Sequence, residues 1–179
     1  MSLRNALLGL LADDPASGWD LLKRFEGSLA FVWPATQSQL YTELGRMADD
    51  GLIAVGATGA RNRKEYAITE AGRETLRIWL TESEPEHNRR NEAIMRVFFL
   101  WTVDPQRAID YFEREAAGAR RFVAALEEVE RSSEWSGSGF ARFGRIALEN
   151  GLRSAAANAD WAEWAVGQVE RSGYPASTT

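Results

Sequence analysis

The sequence predicts a mainly α-helical protein with one small β-hairpin. Three observations carry this expectation. A capped amphipathic helix at Thr36–Asp50 runs into a hairpin pattern that closes at Ile68. A polar stretch holding Pro85, Thr81–Asn91, has no hydrophobic period and reads as a linker. Beyond it, apolar residues step by three and four along two long segments, which is helical spacing.

The elements follow in order. Leu3, Leu7, Leu10 and Leu11 make a first helix, with Pro15 after it. Ser17 caps a second helix with Asp20 as its partner three residues on, and Trp19, Leu22, Phe25 and Leu29 are expected to face the core. The segment Ala30–Ala35 is a turn, with Trp33 expected as a core plug beneath it. Thr36 caps the third helix and Gln39 reaches back to complete a capping box. Leu40, Leu44 and Met47 form its apolar face, and Gly51 stops it. Leu52, Ile53 and Val55 begin one strand, and Lys64–Ile68 return as the second after a loop at Gly56–Asn62. Thr69 caps a fourth helix, Glu70–Leu80, with Leu76 and Trp79 expected to pack back on the same domain.

The second half is expected to be almost all helix. Glu92–Trp101 reads as one helix. Asp104 and Pro105 open a long one carrying the stripe Ile109, Phe112, Ala116, Ala119, Val123 and Leu126. Ser132–Gly139 breaks the chain, and a last helix, about Phe140–Arg171, carries Leu148, Leu152, Ala155, Ala159, Ala162, Val166 and Val169. Two such stripes need partners, within one subunit or across a dimer axis. Tyr174–Thr179 reads as a frayed tail.

The third helix bears the sharpest signal. Its outer side presents Ser38, Tyr41, Thr42, Gly45 and Arg46: short polar groups, one phenol and one cation, poor for packing and suited to a polar partner. A helix followed by a hairpin tipped with Arg61, Arg63 and Lys64 is the reading half of a winged helix-turn-helix, in which the helix enters a major groove and the wing meets phosphates. The rival is a winged helix used only to dock proteins. Thr36, Gln37, Ser38, Gln39, Tyr41 and Thr42 stand at or near the front of the reading helix. Gln37, Ser38 and Tyr41 are the candidates for groove contact, Gln37 the weakest because it lies nearer the apolar face. Arg46, Arg61, Arg63 and Lys64 are the candidates for phosphate or wing contact.

LLGLL at Leu7–Leu11, SGWDLLKRFE at Ser17–Glu26, FVWPATQSQLYTELGRMADDGLI at Phe31–Ile53 and NRKEYAITEAGRETLRIWL at Asn62–Leu80 together resemble the PadR family of bacterial transcriptional regulators. MRVFFL at Met95–Leu100 is similar to the stretch that opens the C-terminal region in longer members. Asn62 stands near where family wings often carry proline. The resemblance implies a homodimeric winged-helix repressor of double-stranded DNA, with an inverted-repeat operator, whose binding answers to a small aromatic or amphipathic molecule. The expected division is residues 1–83 for DNA binding and 84–179 for an α-helical dimerisation and sensing region. The final helix, and the first, are expected in the dimer interface.

Composition narrows the alternatives. The 179 residues carry 21 Lys or Arg against 26 Asp or Glu, a net charge of −5. The first 83 residues hold nine basic and eleven acidic groups, so DNA binding must rest on a local patch with Asp13, Asp14, Asp49 and Asp50 turned from phosphate. There is no cysteine, which excludes disulfides and thiol chemistry and fits a reducing, cytoplasmic setting. No apolar run has transmembrane length, and MSLRNALLGLLADD reads as a helix without a signal cleavage region. Neither a metal-ligand spacing nor a phosphate loop nor a catalytic constellation is visible, so no enzyme activity and no cofactor are expected. The single histidine, His87, falls in the polar linker and reads as solvated.

Seven tryptophans are many for this length. Trp101, Trp161 and Trp164 lie in the C-terminal half, the last two one helical turn apart on an expected common face. One reading makes them core and dimer packing; the other has them line a pocket for a flat effector.

Overall fold

The computed structural model describes residues 2–56, 64–85 and 90–172. Arg61, Asn62 and Arg63 of the expected wing, His87, and the tail from Tyr174 lie outside the described residues. The chain is mainly helical with one small antiparallel sheet. It divides into two units, Met1–Pro85 with Ser136–Arg142, and Glu86–Trp135 with Phe143–Thr179.

In the first unit, α1 (Ser2–Asp13), α2 (Gly18–Ser28), α3 (Gln37–Asp49) and α4 (Glu70–Thr81) surround a core of leucines. Leu7, Leu8, Leu21, Leu44 and Met47 are wholly buried, joined by Leu10, Leu11, Phe25, Leu40 and Ile53. Burying each such side chain is worth about 1.5–3 kcal/mol, so this one cluster fixes how the helices lie. The caps are as the spacing predicts. Ser17 Oγ accepts from the Asp20 amide at 3.2 Å, and Thr69 Oγ1 accepts from the Gly72 amide at 3.1 Å. Gly51, at φ +71°, ends the approach to α3's C-terminus in the left-handed region that glycine tolerates.

The sheet holds one strand more than the periodicity shows. β2 (Ile53–Val55) pairs with β3 (Glu65–Ile68), and β3 also pairs with β1 (Ala16–Ser17), giving the order β1-β3-β2. Ala16 faces Tyr66 and Ser17 faces Glu65. Two residues are too few to show alternation, so only the partner strand defines β1. Thr69 fastens sheet to helix: its hydroxyl lies 2.8 Å from the Gly51 carbonyl and 2.9 Å from that of Leu52.

Three tryptophans depart from the sequence expectation. Trp19, Trp33 and Trp79 are 49%, 44% and 41% exposed, so none is a core plug. Leu21 takes the fully buried place on α2, while Trp19 lies outside with Lys23 Nζ 5.3 Å from its ring centroid. Leu76 does pack against the core.

The second unit is built on α6 (Pro105–Ser132) and most of α7 (Gly139–Ser172). Asp104 Oδ1 accepts from the Gln106 amide at 2.8 Å and Pro105 opens α6, as expected. Ala108, Phe112, Ala116 and Leu126 of α6 are buried, as are Leu148, Ala155, Ala159, Ala162 and Ala165 of α7. Gly151 lies against Leu126: a methyl there would stand 3.1 Å from its Cδ1. Arg145 joins the helices by reaching Glu130 at 2.5 Å and Glu149 at 3.0 Å. The expected helix Glu92–Trp101 ends early. α5 spans Glu92–Val97 and a separate 3-10 turn spans Leu100–Thr102, because Phe99 (φ −119°, ψ 0°) leaves helical geometry.

Candidate DNA interface

Leu40, Leu44 and Met47 hold α3 onto the core, and this fixes which side faces out. Gln37, Ser38, Gln39, Tyr41, Thr42, Gly45 and Arg46 are all exposed. The residues proposed for a groove therefore do share one solvent-facing surface. Gln37, placed nearer the apolar side by its spacing, is exposed as well.

Two of these residues have a task inside the fold. The Gln39 amide donates to Thr36 Oγ1 at 3.3 Å, and Gln39 Oε1 accepts from the Thr36 amide at 2.8 Å. This closed capping box satisfies α3's first turn, and it occupies the Gln39 carbonyl oxygen. Among the described residues, Ser38, Gln37 and Thr42 have no side-chain hydrogen-bond partner, and they stand towards the helix end that a groove-entering helix presents.

Tyr41 is seated rather than loose. Its ring edge lies over Gly18 at the start of α2: a methyl on Gly18 would stand 2.7 Å from Cε1, 3.3 Å from Cζ and 3.4 Å from the hydroxyl. Gly18 is buried, whereas Tyr41 stays 40% exposed. Tyr66 of β3 is its neighbour. Burial first, and then the adjacent Tyr41, hold the Tyr66 hydroxyl above the usual phenol range, so it remains a neutral donor and acceptor.

Part of the acidic charge on α3 is answered from another helix. Arg4 of α1 donates from Nε to Glu43 Oε1 at 2.7 Å, and its Nη1 stands 2.9 Å from Asp50 Oδ2. One cation thus stands against two of α3's carboxylates, and the hydrogen bond it donates to Glu43 raises the guanidinium's own pKa further. Sequence reasoning missed Arg4, since nothing local links positions 39 residues apart. Arg46, on the outer side, lies 3.7 Å from Glu43 and is two-thirds exposed, so it can reach outward. Lys64 is exposed beside β3.

The three tryptophans named for an effector do not come together. Trp161 packs edge-on against Phe112, with centroids 5.7 Å apart, whereas Trp164, one turn on, is 60% exposed. The two indoles keep neighbouring positions on α7, but Ala162 and Ala165 take the buried seam and Trp164 lies farther round the helix from it than Trp161. Trp101 is exposed in the 3-10 turn. A shallow groove of about 250 Å³ between α6 and α7 is lined by Arg120, Val123, Ala156, Ala159, Asp160 and Glu163, with Arg120 and Glu163 ion-paired; it includes none of these tryptophans. Among the described residues no cluster of His, Asp or Glu could hold a metal, and no helix is long and apolar enough to cross a membrane.

A capped helix with a polar outer face, braced by a second helix and followed by a three-stranded wing, defines a winged helix-turn-helix protein of the transcription-regulating class. Comparison with known proteins gives the family. Residues 7–78 match the transcriptional regulator PadR-like family, and residues 89–170 match the C-terminal region described as virulence activator alpha. The negative transcriptional regulator PadR of Bacillus subtilis is 30% identical over 136 residues, covering 74% of this chain and 73% of that one. The chain belongs to the PadR family of transcriptional regulators, and it is not an enzyme. Bacillus subtilis PadR in complex with operator DNA superposes with a TM-score of 0.78 at 25% identity, covering 94% of this chain and 99% of that one. The same Bacillus protein is also known in complex with p-coumaric acid, with a TM-score of 0.79 at 24% identity over 94% of this chain and 95% of that one. The fold is shared too with the Vibrio cholerae virulence activator AphA, with a TM-score of 0.81 at 23% identity over 96% of this chain and 99% of that one.

Proposed function

We propose that this regulator is a homodimeric repressor that reads an inverted-repeat operator and is released by a small aromatic molecule. The observation that carries the reading is the outer face of α3: Gln37, Ser38, Tyr41 and Thr42 exposed together, with Glu43 and Asp50 answered by Arg4. Polar side chains of this kind can read base edges, and a cation held between two carboxylates offsets part of their charge, which eases the helix's approach to phosphate despite the acidic whole. Arg46 and Lys64, with Arg61 and Arg63 of the wing sequence, supply backbone contacts in this reading. Residues 1–83 read DNA, and residues 84–179 dimerise and sense. The relative crystallised on operator DNA, a negative regulator, supports both the ligand and the sign of the response.

Dimerisation is supported by apolar groups left uncovered in the second unit. Phe98, Phe99, Trp101, Phe143, Ile146 and Trp164 are all more than half exposed. Large exposed apolar groups in such number mark an association surface. Effector release is supported by the relative's p-coumaric acid complex.

The deciding experiment is a gel-shift titration of a duplex from upstream of the regulator's own gene and its neighbours, with increasing salt and with p-coumaric acid as probe. Footprinting should show protected half-sites about one helical turn apart, roughly 34–36 Å. The acid should weaken binding about 5- to 150-fold. Equal affinity for every duplex would remove specific repression, and unchanged affinity with the acid present would remove it as the releasing ligand.

A further inference from the structure

Gly18 sits at the first position of α2, buried, directly after the cap Ser17. No turn demands a glycine there: its φ is not in the left-handed region, where, among the described residues, only Gly51 and Gly137 are found. The first turn of a helix is also a poor place for glycine, which costs about 0.5–1 kcal/mol relative to alanine within a helix. What a side chain would meet is the Tyr41 ring, 2.7 Å away at Cε1, and no backbone atom stands within 4 Å among its three nearest neighbours. The obstruction is thus a movable side chain of the outer face of α3, and the space it guards is the seat of that side chain.

We propose that Gly18 is a specificity-determining positioning residue: by lacking a side chain it seats Tyr41 and aims the phenol at the DNA groove. This rests on the reading of α3 as the DNA-reading helix. The geometry locks the aim from two sides. Leu40 and Leu44, one and three residues from Tyr41, are buried and hold the helix's rotation, so the ring can move only by turning its own χ angles. Gly18 lies beneath it, in the segment that continues from β1, whose Ala16 pairs with Tyr66. Tyr66 of β3 is an electrostatic neighbour of Tyr41. A methyl on Gly18 therefore displaces the ring from its seat. A displaced phenol offers its hydroxyl at a different height in the groove, and base-edge hydrogen bonds do not tolerate shifts of that size.

The test uses the full-length chain and a randomised duplex library with constant flanks. The wild type is expected to enrich one motif. Gly18→Ala should relax or replace the preference at the base pairs that Tyr41→Ala also affects, lowering the ratio of specific to non-specific affinity about 5- to 100-fold. Its affinity for an unrelated duplex and the salt dependence of that affinity should stay at wild-type values. In a Tyr41→Ala background, Gly18→Ala should have no further effect, and any fall in melting temperature caused by Gly18→Ala alone should disappear, since the new methyl then meets no ring. A motif left unaltered by Gly18→Ala, or altered just as much when Tyr41 is absent, overturns the role of Gly18 while leaving α3 as the reading helix. A wild-type chain that enriches no motif overturns the DNA reading itself, and the role of Gly18 with it.

Discussion

Arg4 Nε stands 2.7 Å from Glu43 Oε1, linking the first turn of α1 to the middle of α3. The same guanidinium reaches Asp50 at 2.9 Å, and all three groups lie on elements of the first unit. The pair is more sheltered than a surface ion pair, with side chains 29% and 16% exposed. Arg4→Met should lower stability by about 1–2 kcal/mol, more than an exposed pair is worth and less than a buried one. It should also weaken binding to every duplex at low salt, because Glu43 and Asp50 lose the cation that partly offsets them near phosphate. Glu43→Gln in the same background should return part of the affinity. Urea unfolding and a salt-series gel shift measure the two effects; unchanged DNA affinity would show that Arg4 only braces the fold.

Thr36 and Gln39 should behave differently from Ser38. Thr36→Ala removes the cap of α3 and should cost about 0.5–2 kcal/mol. Because the lost hydrogen bonds are internal, binding should weaken without a change in preferred sequence. Ser38→Ala leaves the cap intact and should alter preference at particular base pairs with little change in melting temperature. Selection from a randomised library, read alongside thermal denaturation, separates the two.

Gly45 and Gly72 make a paired test. A methyl on Gly45, inside α3, meets nothing within 4 Å. Gly45→Ala should stabilise the chain by about 0.5–1 kcal/mol, yet weaken DNA binding by thickening the outer face. A methyl on Gly72 would stand 2.2 Å from the Leu52 carbonyl oxygen and 2.9 Å from Ile68 Cγ1. Backbone cannot turn aside as a side chain can, so Gly72→Ala should destabilise by about 2–4 kcal/mol. Denaturation curves moving in opposite directions are the expected result.

The basic groups around the reading helix should act through counterion release. Arg46→Ala and Lys64→Ala should each reduce the slope of log affinity against log salt by about one, equally for operator and unrelated duplex. A change confined to one sequence would move the residue from backbone contact to base reading.

Much of this architecture was legible from residues three and four apart. Ser17 with Asp20, Thr36 with Gln39, Thr69 before α4 and Asp104 before Pro105 are local pairs, and a cap depends only on its own turn. The stripe of Leu40, Leu44 and Met47 is local in the same sense, and burying it leaves Ser38, Tyr41, Thr42 and Arg46 no direction but outward. The outward side of α3 was therefore determined by the sequence alone. Tertiary structure decided what depends on residues far apart in the chain. β1 exists because β3 offers it a partner. Trp19, Trp33 and Trp79 lie outside because leucines fill the core first, a matter of shape that no hydrophobicity pattern contains. Trp161 meets Phe112 of α6 while Trp164, farther round α7 from the alanine seam, stays exposed. Arg4 with Glu43, and Gly18 with Tyr41, meet across distinct helices, and only the packing of those helices sets a distance between them.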